Sequence, residues 1–261
     1  MTQDKYYKNF VPKSSTNALP KSIMEYRNPA AISMQPAILE NHCQTFKIPE
    51  LTQSQISTVE RETRHQSKSK IWYRQRAGRI TASKLKQVLR TNPLEPSKSL
   101  VKSICYPESY KFSTAATRHG CKHEAKAIEE YTNIMCNLHD DFSVSESGLW
   151  LNEKWPYMGA TPDGIVMCSC HGTGLCEIKC PYCITEKENI SDATEKKGFC
   201  LVKDESVWKK NELYVERIMP DLALWDEIVP KAEVFFRNCI LAEVFGRKFT
   251  KEIVTALNAN N

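Results

Sequence analysis

The sequence predicts a mixed α/β chain. Three features carry that prediction: a long helical stripe at 113–135, a run of short extended segments between 142 and 180, and a closing apolar helix at 221–248. With 261 residues and 41% hydrophobic content, the chain can bury one full core. Residues 1–50 are rich in Ser, Asn, Pro and Lys and hold no persistent period, so they are expected to form a poorly ordered tail. Residues 51–250 are expected to form one domain, and 251–261 a second tail.

Each element has its own local warrant. Thr52 or Ser54 can cap a helix that runs on toward Gly78. A second helix at 81–91 shows Leu85, Val88 and Leu89 at helical spacing before the Asn92-Pro93 stop. In the 113–135 helix, Ala125, Ile128, Tyr131 and Thr132 make the apolar stripe. Glu124 lies one turn from Ile128, so its carboxylate sits near the buried face, which is costly unless it is paired or metal-bound. The segments 142–154, 164–169 and 175–180 read as an antiparallel meander whose last turn holds Gly172 and Gly174. The final helix carries Pro230 near the start of its longer part, and Leu241 to Phe245 close its apolar face.

Composition narrows the function classes without choosing one. A net charge of +5 and a pI near 8.5 permit a polyanionic partner but do not demand it. The N-terminus lacks an apolar h-region and no 18-residue apolar run occurs, so an intracellular, soluble chain is expected, with nucleus and cytoplasm not distinguished. In a reducing compartment the eleven cysteines are core fillers, metal ligands or bystanders before they are disulfides.

The chemistry concentrates in 160-ATPDGIVMCSCHGTGLCEIKCPY-182. Alternation along a strand puts Glu177 and Lys179 on one face and Cys176, Ile178 and Cys180 on the other. A hairpin of 164–169 with 175–180 returns Asp163 to the side of Glu177 and Lys179. Such hard oxygen ligands suit Mg²⁺ or Mn²⁺ acting on a phosphodiester. On this pattern alone, Glu177 and Lys179 can equally be a surface cross-strand pair, with Asp163 a Pro-Asp-Gly turn former. Cys168, Cys170, His171, Cys176, Cys180 and Cys183 supply only half of a paired-knuckle zinc signature, so structural Zn²⁺ is disfavoured. His119 and His123 flank Glu124 at helical spacing and are expected to be solvated or capping, and His139 is given no role.

Four motifs in order sharpen the reading: 72-WYRQRAGRITAS-83, 119-HGCKHEAKAIEEY-131, 159-GATPDGIV-166 and 175-LCEIKCPY-182. Together they resemble the YqaJ-like viral recombinase family, a lambda-exonuclease-like branch of the PD-(D/E)XK nuclease superfamily. The resemblance spans about 71–248, including 225-WDEIVPK-231. It implies a restriction-endonuclease-like α/β core with a mixed central sheet flanked by helices. It also implies 5′ to 3′ exonucleolysis on double-stranded DNA ends, tied to recombination or repair and to a single-strand-annealing protein as partner. Position by position, Asp163, Glu177 and the backbone carbonyl of Ile178 would hold Mg²⁺ or Mn²⁺. Glu124 would be a third carboxylate, and Lys179 would act on the attacking water. Arg76, Ser83 and Thr161 would hold the terminal 5′ phosphate, with guanidinium and hydroxyl donors at a helix start.

One departure stands out. Where the family carries a glutamine-bearing helix and a further strand, the chain passes directly from 209-KKN-211 to 212-ELYVERI-218. The resemblance therefore implies a core short of one helix and one strand, with an exposed sheet edge and reduced digestion of linear duplex. Three functional readings follow: an active divalent-metal nuclease, a catalytically impaired module that still binds DNA, and a zinc-binding interaction domain. Under the first two, Arg74, Arg76 and Arg79, with Lys203, Lys209 and Lys210, would line a duplex channel.

Overall fold

A computed structural model of the protein describes residues 19–110, 113–184 and 214–250. Lys203, Lys209, Lys210, the Asn211–Glu212 junction and 251–261 lie outside the described residues. In chain order the helices are α1 Pro36–Thr45, α2 Gln53–Glu62, α3 Lys70–Arg76, α4 Ala82–Arg90, α5 Lys98–Cys105, α6 Ala115–Cys136, α7 Leu222–Phe235 and α8 Ala242–Gly246. A π-helical turn, Phe236–Leu241, joins α7 to α8. The strands are β1 Ile80–Thr81, β2 Ser143–Ser145, β3 Trp150–Leu151, β4 Met158–Ala160, β5 Gly164–Cys168 and β6 Gly172–Cys176.

The α/β class is the one observed, and the strands among the described residues fall into two three-stranded sheets. The chain groups into two compact units, and the first comprises Met1–Lys111, Ser147–Pro162 and Asp221–Asn261. Its sheet has the order β1-β4-β3, with β1 parallel and β3 antiparallel to β4. Ile80, Val101, Ile104, Phe235, Phe236, Ile240, Val244 and Phe245 are among the side chains that fill its core. The second unit comprises Phe112–Glu146 and Asp163–Pro220, and its sheet is the antiparallel meander β2-β5-β6.

Several elements follow from the sequence directly. Thr52 accepts from Gln55 N while Gln55 returns a bond to Thr52 N, the reciprocal cap that starts α2. The helix expected to run on to Gly78 is instead interrupted by a 3₁₀ turn at Gln66–Lys68, and α3 restarts on the Ser69 cap. Gly78 then turns the chain with φ +78°, and a Cβ there would lie 2.7 Å from Ile23 Cβ. Both the backbone angle and the space require glycine at this position of the 72-WYRQRAGRITAS-83 stretch.

Other segments depart from expectation. Within the segment read as a tail, 3₁₀ helices Ile23–Tyr26 and Pro29–Ser33 precede α1, and Ile23, Ala31 and Cys43 are buried in the first unit's core. Burial at isolated positions, not a periodic stripe, secures this segment, which is why its composition conceals it. The extended run 142–154 divides into β2 and β3, because at Gly148 the chain passes so close to α2 that an added Cβ would lie 1.8 Å from Glu60 O. Gly172 and Gly174 belong to β6, and the hairpin turns at 169–171. Arg79, proposed for a duplex channel, is fully buried and donates to the carbonyls of Pro156 (2.9 Å), Lys21 (3.2 Å) and Gln75. A guanidinium committed to three carbonyls inside the core is structural and does not reach a phosphate.

Candidate functional site

In the second unit the β5–β6 hairpin positions the acidic group. Gly164 pairs with Cys176, so Asp163 stands just before β5 and Glu177 just after β6, at the same end of the ladder. Asp163 N donates to Cys176 O at 3.2 Å, and Asp163 Oδ2 accepts from Ile178 N at 2.6 Å. These two bonds bring Asp163, Glu177, Ile178 and Lys179 together, as the hairpin reading anticipates. Lys179 Nζ bonds Glu177 Oε1 and lies 3.4 Å from Ile178 O. Because β6 ends at Cys176, the proximity of Glu177 and Lys179 comes from this short coil and not from a shared strand face.

Glu124, half-buried on α6, belongs to the same electrostatic group. Its carboxyl is raised above the usual range first by burial, then by the charges of Asp163 and Glu177, with Lys179 opposing. Burial also raises Asp163, Glu177 adds to the rise, and the Ile178 N–H and Lys179 counter it. Two carboxylates that each resist ionisation beside a third create a demand for positive charge. Their oxygen donors, with the Ile178 carbonyl, fit a hard divalent cation in kind. Nearby, His119 and His123 lie face to tilted face at 4.3 Å, and His119 meets Tyr182 edge-on at 5.5 Å. Cys176 is buried and pushed up to about 11 by that burial, whereas Cys180 is only half-buried.

The phosphate-binding candidates lie in the first unit. Arg76, at the last turn of α3, stacks its guanidinium 4.0 Å above the Trp72 ring. Arg76 Nη2 lies 3.4 Å from Thr81 Oγ1 and 3.5 Å from Ser83 Oγ, and those hydroxyls are 3.2 Å apart. Thr81 is the N-cap of α4 without a side-chain cap bond, and Ser83 is its second helical residue. Thr161 accepts from Trp72 Nε1 at 3.2 Å. Among the described residues no carboxylate pairs with Arg76, whose pKa burial lowers to about 10. Lys84, one residue beyond Ser83, is lowered by burial and by the Arg76 charge.

Sequence reasoning passed over Trp72, Thr81 and Lys84. Trp72 precedes Arg76 by four residues, one helical turn, so the stacking was legible in the spacing. A second omission is His139, which the fold places against Cys170.

An α/β chain with clustered carboxylates and a lysine around a hairpin end has the make-up of a metal-assisted phosphodiester site. The profile of the YqaJ-like viral recombinase domain matches residues 71–218, and the chain belongs to that family. No curated protein matches the chain. Among solved structures it is similar to an alkaline exonuclease from Laribacter hongkongensis, with 23% identity and a TM-score of 0.47, covering 74% of this chain and 99% of that one. The complex of that exonuclease, LHK-Exo, with dAMP gives 24% identity and a TM-score of 0.46 over 72% of this chain and 100% of that one.

Proposed function

We propose that the protein is a divalent-metal-dependent DNA nuclease, a 5′ to 3′ exonuclease acting on double-stranded ends in recombination or repair. The observation that carries this reading is the Asp163–Ile178 bond, which sets Asp163 beside Glu177 and Lys179 with Glu124 electrostatically coupled to both carboxylates. Asp163, Glu177, the Ile178 carbonyl and Glu124 would hold Mg²⁺ or Mn²⁺. A bound cation supplies Lewis acidity toward the scissile phosphate and lowers the pKa of a bound water. Lys179, kept at the site as an ammonium by Glu177, would orient that water and balance the charge of the hydroxide it becomes. Arg76 and the Thr81, Ser83 and Thr161 hydroxyls bind the terminal 5′ phosphate, with Lys84 adding positive charge. The α4 N-terminus adds unpaired N–H groups and its positive dipole end.

The test is digestion of linear, 5′-phosphorylated duplex by the full chain in Mg²⁺. Asp163→Ala and Lys179→Ala should each lower the rate by about 100-fold or more, the scale of removing a positioned acid–base or metal-binding group. Digestion at the unaltered rate in both variants would assign the activity to a contaminant or to another site.

A further inference from the structure

Four metal-ligating side chains outside the carboxylate group converge at the opposite end of the β5–β6 hairpin. Cys168 ends β5, Cys170 and His171 form the turn, and His139 comes from the loop after α6. Their candidate ligand atoms all lie within 4.8 Å of one another. Cys170 Sγ is 3.2 Å from His139 Nδ1, 3.1 Å from His171 Nδ1 and 3.5 Å from Cys168 Sγ, and Cys168 Sγ is 3.9 Å from His171 Nδ1.

We propose that His139, Cys168, Cys170 and His171 form a structural Zn²⁺ site. Zinc–sulfur bonds near 2.3 Å and zinc–nitrogen bonds near 2.0 Å give tetrahedral edges of about 3.8 Å between sulfurs and about 3.6 Å between sulfur and nitrogen. The observed separations scatter around those edges. Two thiolates and two imidazoles select Zn²⁺ over the hard cation suited to the carboxylates. With four protein ligands the site is closed and serves structure, not catalysis.

The surrounding backbone is already shaped for this. Ser169 N donates to Asp140 O at 2.9 Å and Ser169 Oγ to Asp141 Oδ2 at 2.7 Å, tying the loop to the turn. Asp141 and Gly172 take φ of +52° and +76°, which bends the chain inward on both sides. The zinc disfavoured by the sequence pattern is recovered because the missing ligand is His139, 29 residues before Cys168, and not Cys183. A zinc here fastens the C-terminal end of α6, which bears Glu124, to the tip of the hairpin that bears Asp163 and Glu177. It lies about 15 Å from those carboxylates along strands of this length.

Elemental analysis of the full chain, purified without chelator and dialysed against Mg²⁺, should find one zinc per chain. His139→Ala and Cys170→Ser should each lose it, while Asp163→Ala keeps it. Co²⁺ in place of Zn²⁺ should give tetrahedral d–d bands and a thiolate charge-transfer band. In the unaltered chain, alkylation of Cys170 should be slow and should accelerate on chelation, with exposed Cys121 as the reference. This last readout does not depend on any variant folding. An absence of zinc overturns the proposal, and so does zinc that survives in Cys170→Ser but leaves with Asp163→Ala, or Cys170 labelling indifferent to chelator.

Discussion

Arg76 is a cation half-withdrawn from water, resting on the face of Trp72 with hydroxyls around it in place of a carboxylate. Such a group favours an incoming anion, because desolvation has already been met and, among the described residues, no carboxylate must be displaced. Arg76→Ala should weaken preference for a 5′-phosphorylated over a 5′-hydroxyl duplex by about 10- to 100-fold, the worth of one or two charge-assisted hydrogen bonds. Competition between the two duplexes measures this directly. Trp72→Phe keeps an aromatic platform but removes the N–H that Thr161 accepts, so the same assay should show a loss of only about fivefold. Residues of this kind were partly legible in the sequence. Asp163, Glu177 and Lys179 declared themselves through a short pattern that a hairpin could close. Glu124 betrayed itself as a carboxylate beside an apolar stripe. His139 did not, since its role depends on which residue a turn brings opposite it, whereas the spacing of Trp72 from Arg76 carried a signal that was passed over.

Among the elements, those built on a strong local signal match the sequence, whereas those determined by distant contacts do not. α4 and α6 begin and end within a few residues of the expected bounds, and α2 starts on its expected cap. The meander is also present, but its turn falls at 169–171, just ahead of the two glycines, which are taken up by β6. Replacing the cap, Thr52→Ala, should cost about 1 kcal/mol in urea unfolding, as a lost N-cap does. Gly148→Ala should cost more, above about 3 kcal/mol, because its Cβ would collide with backbone of α2 that packing holds in place. Equal urea midpoints for Gly148→Ala and the unaltered chain would show that β3 and α2 can separate freely. No local pattern announces this contact, as Gly148 and Glu60 stand far apart in the chain. The same holds for the bond by which Glu60 accepts from Gly148 N at 3.0 Å, whereas its pair with Arg64 at 2.9 Å is a local contact four residues on.

At the scale of the whole molecule, the raised Glu124 and Asp163 couple stability to pH and to metal. Their folded-state pKa values lie above those of the unfolded chain, so the folded state holds extra protons through the window between the two values. Stability from this pair is therefore greatest below the usual carboxylate range and declines as pH rises through their raised values. In chelator, Glu124→Gln should gain melting temperature relative to the unaltered chain as pH rises from about 4 to 7, a difference that linkage predicts and thermal scans resolve. Mg²⁺ should narrow that advantage by stabilising the chain that keeps all its carboxylates more than the variant. Another whole-molecule consequence concerns where the chain can be cut. Arg79 is saturated by carbonyls from Lys21, Gln75 and Pro156, so a fragment beginning near Thr52 would leave a fully enclosed cation short of an acceptor and strip Ile23 from the core. Limited proteolysis should accordingly spare the peptide bonds between Pro20 and Thr45, and a soluble minimal fragment should start upstream of Pro20.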